Sequence, residues 1–300
     1  MAVFTRSYPM DVDDELADDL DRISALPDDL LHVILSILGD ATMVTRTAVL
    51  SRRWRRVWTH AQKLSFVDTD PKIRAKPGQF GGFVDWALAQ RGDANIQSLS
   101  ISMPTSDSAT PEQINDWLRY AMQHTIKTFK LCSPYHSSYE TDDDHPLPIL
   151  ELPSNARTTS IELRLSSFRL RLPVYAYTRS NKRSPSQEPW PTHARTIPLF
   201  EDPNTLASQP NITMDFLHEA SIIGFTGTDQ EMHLVSFLFG CSTSITCMTI
   251  LPECDDNDDP NRSQLLEIPF TGHGCWHFQR DKYTWKRTQY EGAQGKSCAY

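Results

Sequence analysis

The chain has 300 residues, 39% of them hydrophobic and 22% charged, which is enough apolar mass for a buried core and excludes wholesale disorder. Its 38 acidic residues outnumber 29 basic ones, and the resulting net charge of -9 argues against a globally basic nucleic-acid binder. No apolar run approaches the ~20 residues of a bilayer-spanning helix, and the first residues lack the basic-then-apolar pattern of a secretory leader. The expected location is therefore the nucleus or cytoplasm, with no membrane partner. Six cysteines (Cys132, Cys241, Cys247, Cys254, Cys275, Cys298) read most simply as free thiols there, and the sequon Asn211-Ile212-Thr213 as silent.

Residues 1–22 form an acidic segment, expected to be a disordered tail, because Asp11, Asp13, Asp14, Glu15, Asp18, Asp19 and Asp21 repel one another. From residue 23 to 64 three short helices are predicted. The first opens at Pro27, with φ preset for a first helical position, and carries Asp28 and Asp29 near the positive end of its dipole. Gly39 closes it. Asp40 or Thr42 caps a second helix running through Leu50, and Ser51 caps a third from Arg52 to about Thr59. On a helical wheel the first helix has an apolar arc of roughly 200°, twice the ~100° stripe of an ordinary surface helix. Val33, Leu26, Ile37 and Leu30 lie at one end of that arc, Ile34 in its middle, and Leu38, Leu31 and Leu35 at the other end. A helix this wide needs two surfaces to bury against, and a unit of this size supplies one.

The run from Ile23 to Leu38, with Leu26-Pro27 and the broad apolar helix, followed by Thr45 to Val57-Trp58 with its Ser51-Arg52-Arg53-Trp54 block, resembles an F-box. The resemblance implies docking onto the Skp-type adaptor of a cullin–RING ubiquitin ligase. Carried over by position, the adaptor-binding set is Leu26, Pro27, Leu30, Leu31, Ile34, Leu35, Val49, Leu50, Trp54 and Trp58, with the division between adaptor face and internal core left open. Trp54 and Trp58, four residues apart, read as core in any case. The arginines 46, 52, 53, 55 and 56 read as a solvated helix face rather than a nucleic-acid site.

Beyond residue 70 a pattern of apolar-x-x-apolar-x-apolar recurs. It starts at Ile96, Ile126, Thr158, Leu217 and Ile245, at intervals of 30, 32, 59 and 28, as though one unit were missing at the long step. Each copy has the alternation of a short strand. Between several of them lie helical faces: Phe83, Val84, Ala87 and Leu88; Ile114, Trp117, Leu118, Ala121 and Met122; Met232, Val235, Phe237 and Leu238. The period predicts a leucine-rich-repeat-like solenoid, with an ordinary α/β domain as the alternative. Leu152 to Leu165 is similar to repeats of plant F-box/leucine-rich-repeat proteins. Glu219 to Met232, with Leu234 to Phe239 and Met248 to Ile250, looks like the FBD domain that closes many of them.

The expected fold class is thus α+β: a three-helix F-box over 23–64, then a repeat-like α/β solenoid over 80–172 and an FBD-like region over 212–290. Residues 173–211, with Pro185, Pro189, Pro191, Pro198, Pro203 and Pro210, read as an irregular Pro-rich linker that interrupts the array and shortens the binding surface.

Little nominates catalysis. Cys254, His273, Cys275 and His277 lack a structural-zinc spacing. Asp255 to Asp259 mimics a calcium loop, but Pro260 replaces the turn glycine and Leu266 the closing glutamate. There is no phosphate loop, nucleophile elbow or His-Glu-x-x-His. Neither catalytic residues nor a cofactor nor a metal are expected. The sequence reads as a non-enzymatic substrate-recognition subunit of a Skp–cullin–F-box ligase that takes an unknown protein substrate. The alternatives are a scaffold or degenerate paralogue recruiting nothing and, more weakly, nucleic-acid binding through the arginine-rich helix.

Overall fold

Two rows of apolar side chains run across the molecule at right angles to its strands. One is Leu64, Leu99, Phe129, Ile161, Ala220, Met248, Trp285 and Trp276. The other is Phe66, Ile101, Leu131, Leu163, Ile222, Ile250, Tyr283 and Phe278. All but Trp276 and Phe278 are buried. These rows come from a computed structural model, which describes residues 23, 25–67, 78–104, 109–133, 149–153, 155–164, 169–172, 214–253, 261–270 and 272–288. The acidic tail, the Pro-rich linker, Asn211, Cys254, the Asp255–Asp259 run and Cys298 lie outside the described residues.

The chain opens with α1 (Asp28–Leu38), α2 (Ala41–Arg46) extended by a 3-10 turn (Thr47–Val49), and α3 (Trp54–Val57) extended by another (Trp58–His60). Then follow β1 (Lys63–Val67), α4 (Gln79–Arg91), β2 (Ile96–Ser102), α5 (Pro111–His124), β3 (Thr125–Cys132), β4 (Ile149–Glu151), β5 (Ser160–Arg164) and β6 (Arg169–Arg171). The last part comprises β7 (Glu219–Phe225), α6 (Asp229–Cys241), β8 (Cys247–Pro252), α7 (Asn261–Glu267), β9 (Gly274–Phe278) and β10 (Tyr283–Arg287). The main sheet has the order β1-β2-β3-β5-β7-β8-β10-β9. It is parallel from β1 to β8 and antiparallel in its last two pairings. β4 and β6 form a separate parallel pair. The fold is mixed α/β, with six parallel strands in chain order. Among the described residues no helix is long and apolar enough to cross a membrane.

Local chemistry accounts for the helices. Thr110 accepts from the Gln113 amide at 3.3 Å while the Gln113 side chain accepts from the Thr110 amide at 3.0 Å, and Pro111 sits at the start of α5. Thr228 and Glu231 repeat this reciprocal cap at α6. Asp85 ties α4 to α5, accepting from Gln113 Nε2 and from the Trp117 indole, both at 2.6 Å. The apolar faces read from the sequence for these helices are buried, apart from the half-buried Phe83, and form one cluster with the strand rows. Alternate strand residues turn to the opposite, helix-free face. The central row there is polar: Ser65, Ser100, Lys130, Glu162, Ser221, Thr249, Thr284 and His277 stand in register.

Several sequence expectations are revised. Pro27 has ψ 153° and is the N-cap of α1 rather than its first helical residue; its carbonyl accepts from Leu30 and Leu31. The second and third helices are shorter than expected, each tightening into a 3-10 turn. The third begins at Trp54, whose amide donates to Ser51 Oγ at 3.4 Å. In β3 the register shifts by one residue, so that Thr125 pairs with Ile96, and Thr125 is buried while Ile126 turns outward at 39% exposure. β1 is itself a copy of the repeat, Ala61-x-x-Leu64-x-Phe66, which the sequence reading assigned to the end of the helical unit. Finally, the 59-residue interval is a single strand step, since Ile161 of β5 faces Ala220 of β7 directly.

Candidate functional site

The structure splits the wide helix α1 along its wheel. Leu31 and Leu35, at one end of the arc, are fully buried. At the other end Leu30 is 49% exposed and Ile37 78%, with Val33 also exposed. Ile34 and Leu26, between or beside them, are half-buried. Leu38 departs from the split: it is at the end of the helix and exposed. Among the described residues, nothing covers the second side of the arc.

The candidate set divides accordingly. Leu31, Leu35, Trp54 and Trp58 belong to the chain's own core, and Pro27, Leu30, Val49 and Leu50 are exposed, Val49 at 82% and Leu50 at 62%. Val49 and Leu50 lie at the 3-10 turn that follows α2. The wheel already carried Val33, Ile37 and Leu38; Ile23 and Met43 are exposed apolar residues that the sequence reading passed over. Eight of the fourteen exposed large apolar side chains among the described residues fall within residues 23–50. Scattered exposed apolar residues are ordinary, whereas such a concentration marks a surface with a partner.

The arginine block has a structural part. Arg53 donates from Nε to Asp28 at 2.7 Å and from Nη2 to the Leu26 carbonyl at 2.6 Å. It thereby pins the start of α1, and with it Leu30, onto α3. Arg55 reaches the Ala48 carbonyl at 3.4 Å. Behind this unit, Trp58 stacks on Trp86 of α4 with ring centroids 5.5 Å apart, and Phe66 meets Phe83 edge-on at 5.6 Å.

Residues 23–66 match the F-box domain family. The N-terminal unit is an F-box. Among curated proteins the chain is 30% identical to F-box/LRR-repeat protein 25 of Arabidopsis thaliana over 158 residues, half of this chain and 56% of that protein. It is 35% identical to a putative FBD-associated F-box protein of the same plant over 108 residues, 36% of this chain and 26% of that protein. It is 28% identical to F-box/LRR-repeat protein 13 over 170 residues, covering 35% of that protein. The chain is a relative of the plant F-box/LRR-repeat and FBD-associated F-box proteins, and it spans about half or less of the length of these relatives. No solved structure matches it.

The F-box is not a separate bead. Its matched range ends inside β1, so its last element is the first strand of the sheet. The Ser65 amide also donates to the Gly39 carbonyl at 2.7 Å, bringing the end of α1 against the edge of β1.

Away from the F-box, the helix-free sheet face carries the other groups of chemical interest. Lys130 and Glu162 pair on it at 2.7 Å. Cys275 Sγ lies 3.4 Å from His277 Nε2. His273 precedes β9 in the chain, and no cluster of three or more His, Cys, Asp or Glu side chains that could hold a metal occurs among the described residues. Two thiols are pushed up in pKa by burial: Cys132, in which nearby Glu162 assists, and Cys241, which reaches about 12. Both are held in the neutral form and are poor nucleophiles. Among the described residues, no nucleophile, base and oxyanion site come within reach of one another.

Proposed function

We propose that the chain is the substrate-recognition subunit of a Skp–cullin–F-box ubiquitin ligase, working in the nucleus or cytoplasm. The exposed end of the F-box arc docks on the Skp-type adaptor, and the strand-and-helix region that follows takes up a protein substrate. The observation that carries this reading is the crowding of eight exposed large apolar side chains into residues 23–50 of a matched F-box. In this reading Pro27, Leu30, Val49 and Leu50 touch the adaptor together with Val33 and Ile37, with Leu26 and Ile34 at the margin. Leu31, Leu35, Trp54 and Trp58 hold that surface in place from beneath. The six parallel strands in chain order are taken as leucine-rich-repeat-like units, and residues 212–290 as the FBD-like end of the same sheet. No catalytic group is required, because a receptor contributes proximity, raising the local concentration of substrate beside the conjugating enzyme.

The test is co-purification with a plant Skp-type adaptor, comparing the native chain with Leu30→Ser/Val49→Ser/Leu50→Ser. Loss of the adaptor by a variant that keeps its circular dichroism and cooperative unfolding is expected. Undiminished binding by that folded variant overturns the assignment of the face. A second reading, a scaffold that binds the adaptor and recruits nothing, draws on the single strand step between β5 and β7, which leaves the array short. Adaptor-dependent turnover of an associated protein separates the two.

A further inference from the structure

The last three strands of the sheet enclose an open cleft of about 560 Å³ on the helix-free face. Cys247 and Thr249 of β8, Thr284 and Lys286 of β10, and His277 of β9 line it, together with Gln279 and Lys282 of the hairpin turn. Among the described residues no acidic side chain lines this cleft. Neither lysine ammonium forms an ion pair or hydrogen bond with a described residue. This stands against a chain of net charge -9, so the positive potential here is local and not a share of a basic protein. From Arg280 to Arg287 the hairpin carries four basic residues and one acid, Asp281.

The spacing is as informative as the sign. Lys286 lies in β10 and Lys282 immediately precedes that strand; both line the cleft, and four residues of near-extended chain set them about 13 Å apart. Between and beside them stand the hydroxyls of Thr249 and Thr284, the Gln279 amide and the His277 imidazole, all able to donate hydrogen bonds to carboxylate oxygens. An extended peptide presents its alternate side chains on one face at the same rise per residue, so acids four residues apart fall into step with the lysines.

We propose that this cleft binds an extended acidic peptide segment, with Lys282 and Lys286 pairing Asp or Glu side chains four residues apart. The proposal names the class of protein segment that the recruitment half of the proposed function brings in, and rests on that reading for its biological role. The binding event itself needs no adaptor. A chain that binds the adaptor but not the peptide sinks this proposal alone, and the converse result sinks only the adaptor reading.

The experiment uses the full chain and a fluorescein-labelled decapeptide of alternating Glu and Ser, followed by anisotropy. A Gln-and-Ser decapeptide is the neutral control, and a short generic DNA duplex is the third probe. The Glu peptide should bind, more weakly as salt rises from about 50 to 300 mM. Lys282→Glu/Lys286→Glu should weaken it by about tenfold or more. Lys63→Glu/Lys127→Glu, equal in charge change but away from the cleft, should not. Circular dichroism confirms that each variant is folded. Equal binding of the Gln peptide overturns the proposal, as does equal weakening by the two double variants or unchanged affinity in a folded Lys282→Glu/Lys286→Glu chain. Tighter binding of the duplex, lost with the same lysines, would also overturn it and assign the cleft to nucleic acid.

Discussion

Leu35 and Ile37 are two residues apart on α1 and should respond in opposite ways to the same truncation. Leu35 is fully buried, so Leu35→Ala removes three carbons from a packed core and leaves a cavity. Such substitutions cost about 3 kcal/mol, a large part of the roughly 5–15 kcal/mol that holds a domain together. Ile37 is 78% exposed in the free chain, and Ile37→Ala should change stability by no more than about 0.5 kcal/mol. Against the adaptor the order reverses. If Ile37 is covered on docking, losing its branched end forfeits up to about 2 kcal/mol of apolar burial, a weakening of roughly thirtyfold. Urea denaturation reads the first quantity and calorimetric titration with a Skp-type adaptor the second. Residual adaptor binding by Leu35→Ala, measured where the variant is still folded, should be near native. The reasoning is refuted if Ile37→Ala unfolds as readily as Leu35→Ala, or if it binds the adaptor as tightly as the native chain.

Arg53→Ala should lower stability by about 1 kcal/mol, mostly through the hydrogen bond to the Leu26 carbonyl, because the Asp28 pair is exposed and screened; thermal unfolding in low and high salt separates the two parts. Thr228→Ala should cost about 1 kcal/mol by removing the cap of α6, whereas Thr228→Asp should restore most of it. Gly274→Ala should disorder the terminal hairpin, since a Cβ there would overlap the Trp285 ring; hydrogen exchange across 274–287 is the readout. Cys241, with its thiol pushed up to about 12, should resist thiol reagents at pH 8 in the native chain and react on unfolding. For this group the folded state holds its proton to higher pH than the unfolded state, so its contribution favours the fold below about pH 9 and diminishes as pH rises above it.

The helical unit was legible because its signals are local. A helix apolar over roughly 200°, a glycine stop and a Ser-Arg-Arg-Trp block need no knowledge of what lies across the core. The division of that arc was not legible, because which half is covered depends on where α3 and the sheet come to rest. Leu31 and Leu35 differ from Leu30 only in that. The strands were found by their alternation, with two instructive failures. Ile126 was preferred to Thr125 on hydrophobicity, but the bulge in β3 adds a residue, and the backbone register rather than the side chain decides which one turns inward. β1 was missed because its apolar pattern overlaps a stronger motif. The β9–β10 hairpin was passed over although its two alternating runs, Gly274–Phe278 and Tyr283–Arg287, are separated by four residues. Its cysteine and histidines were weighed as metal ligands, while the lysines that line the cleft carry no motif. Only the antiparallel pairing gathers them beside Thr249.

Because β1 closes the F-box and also opens the sheet, strand count becomes a ruler and a protractor. Each step across a sheet advances about 4.8 Å and turns by roughly 20–25°. Five steps lead from β1 to β8, so the acidic-peptide cleft is held about 24 Å along the sheet from the F-box and rotated by about 100–125° from it. One further strand between β5 and β7 would carry that cleft another 4.8 Å or so outward and swing it by a further 20–25°. Relatives with different numbers of strands, docked on the same adaptor, would then present their distal surfaces toward different points in space without any change in the F-box.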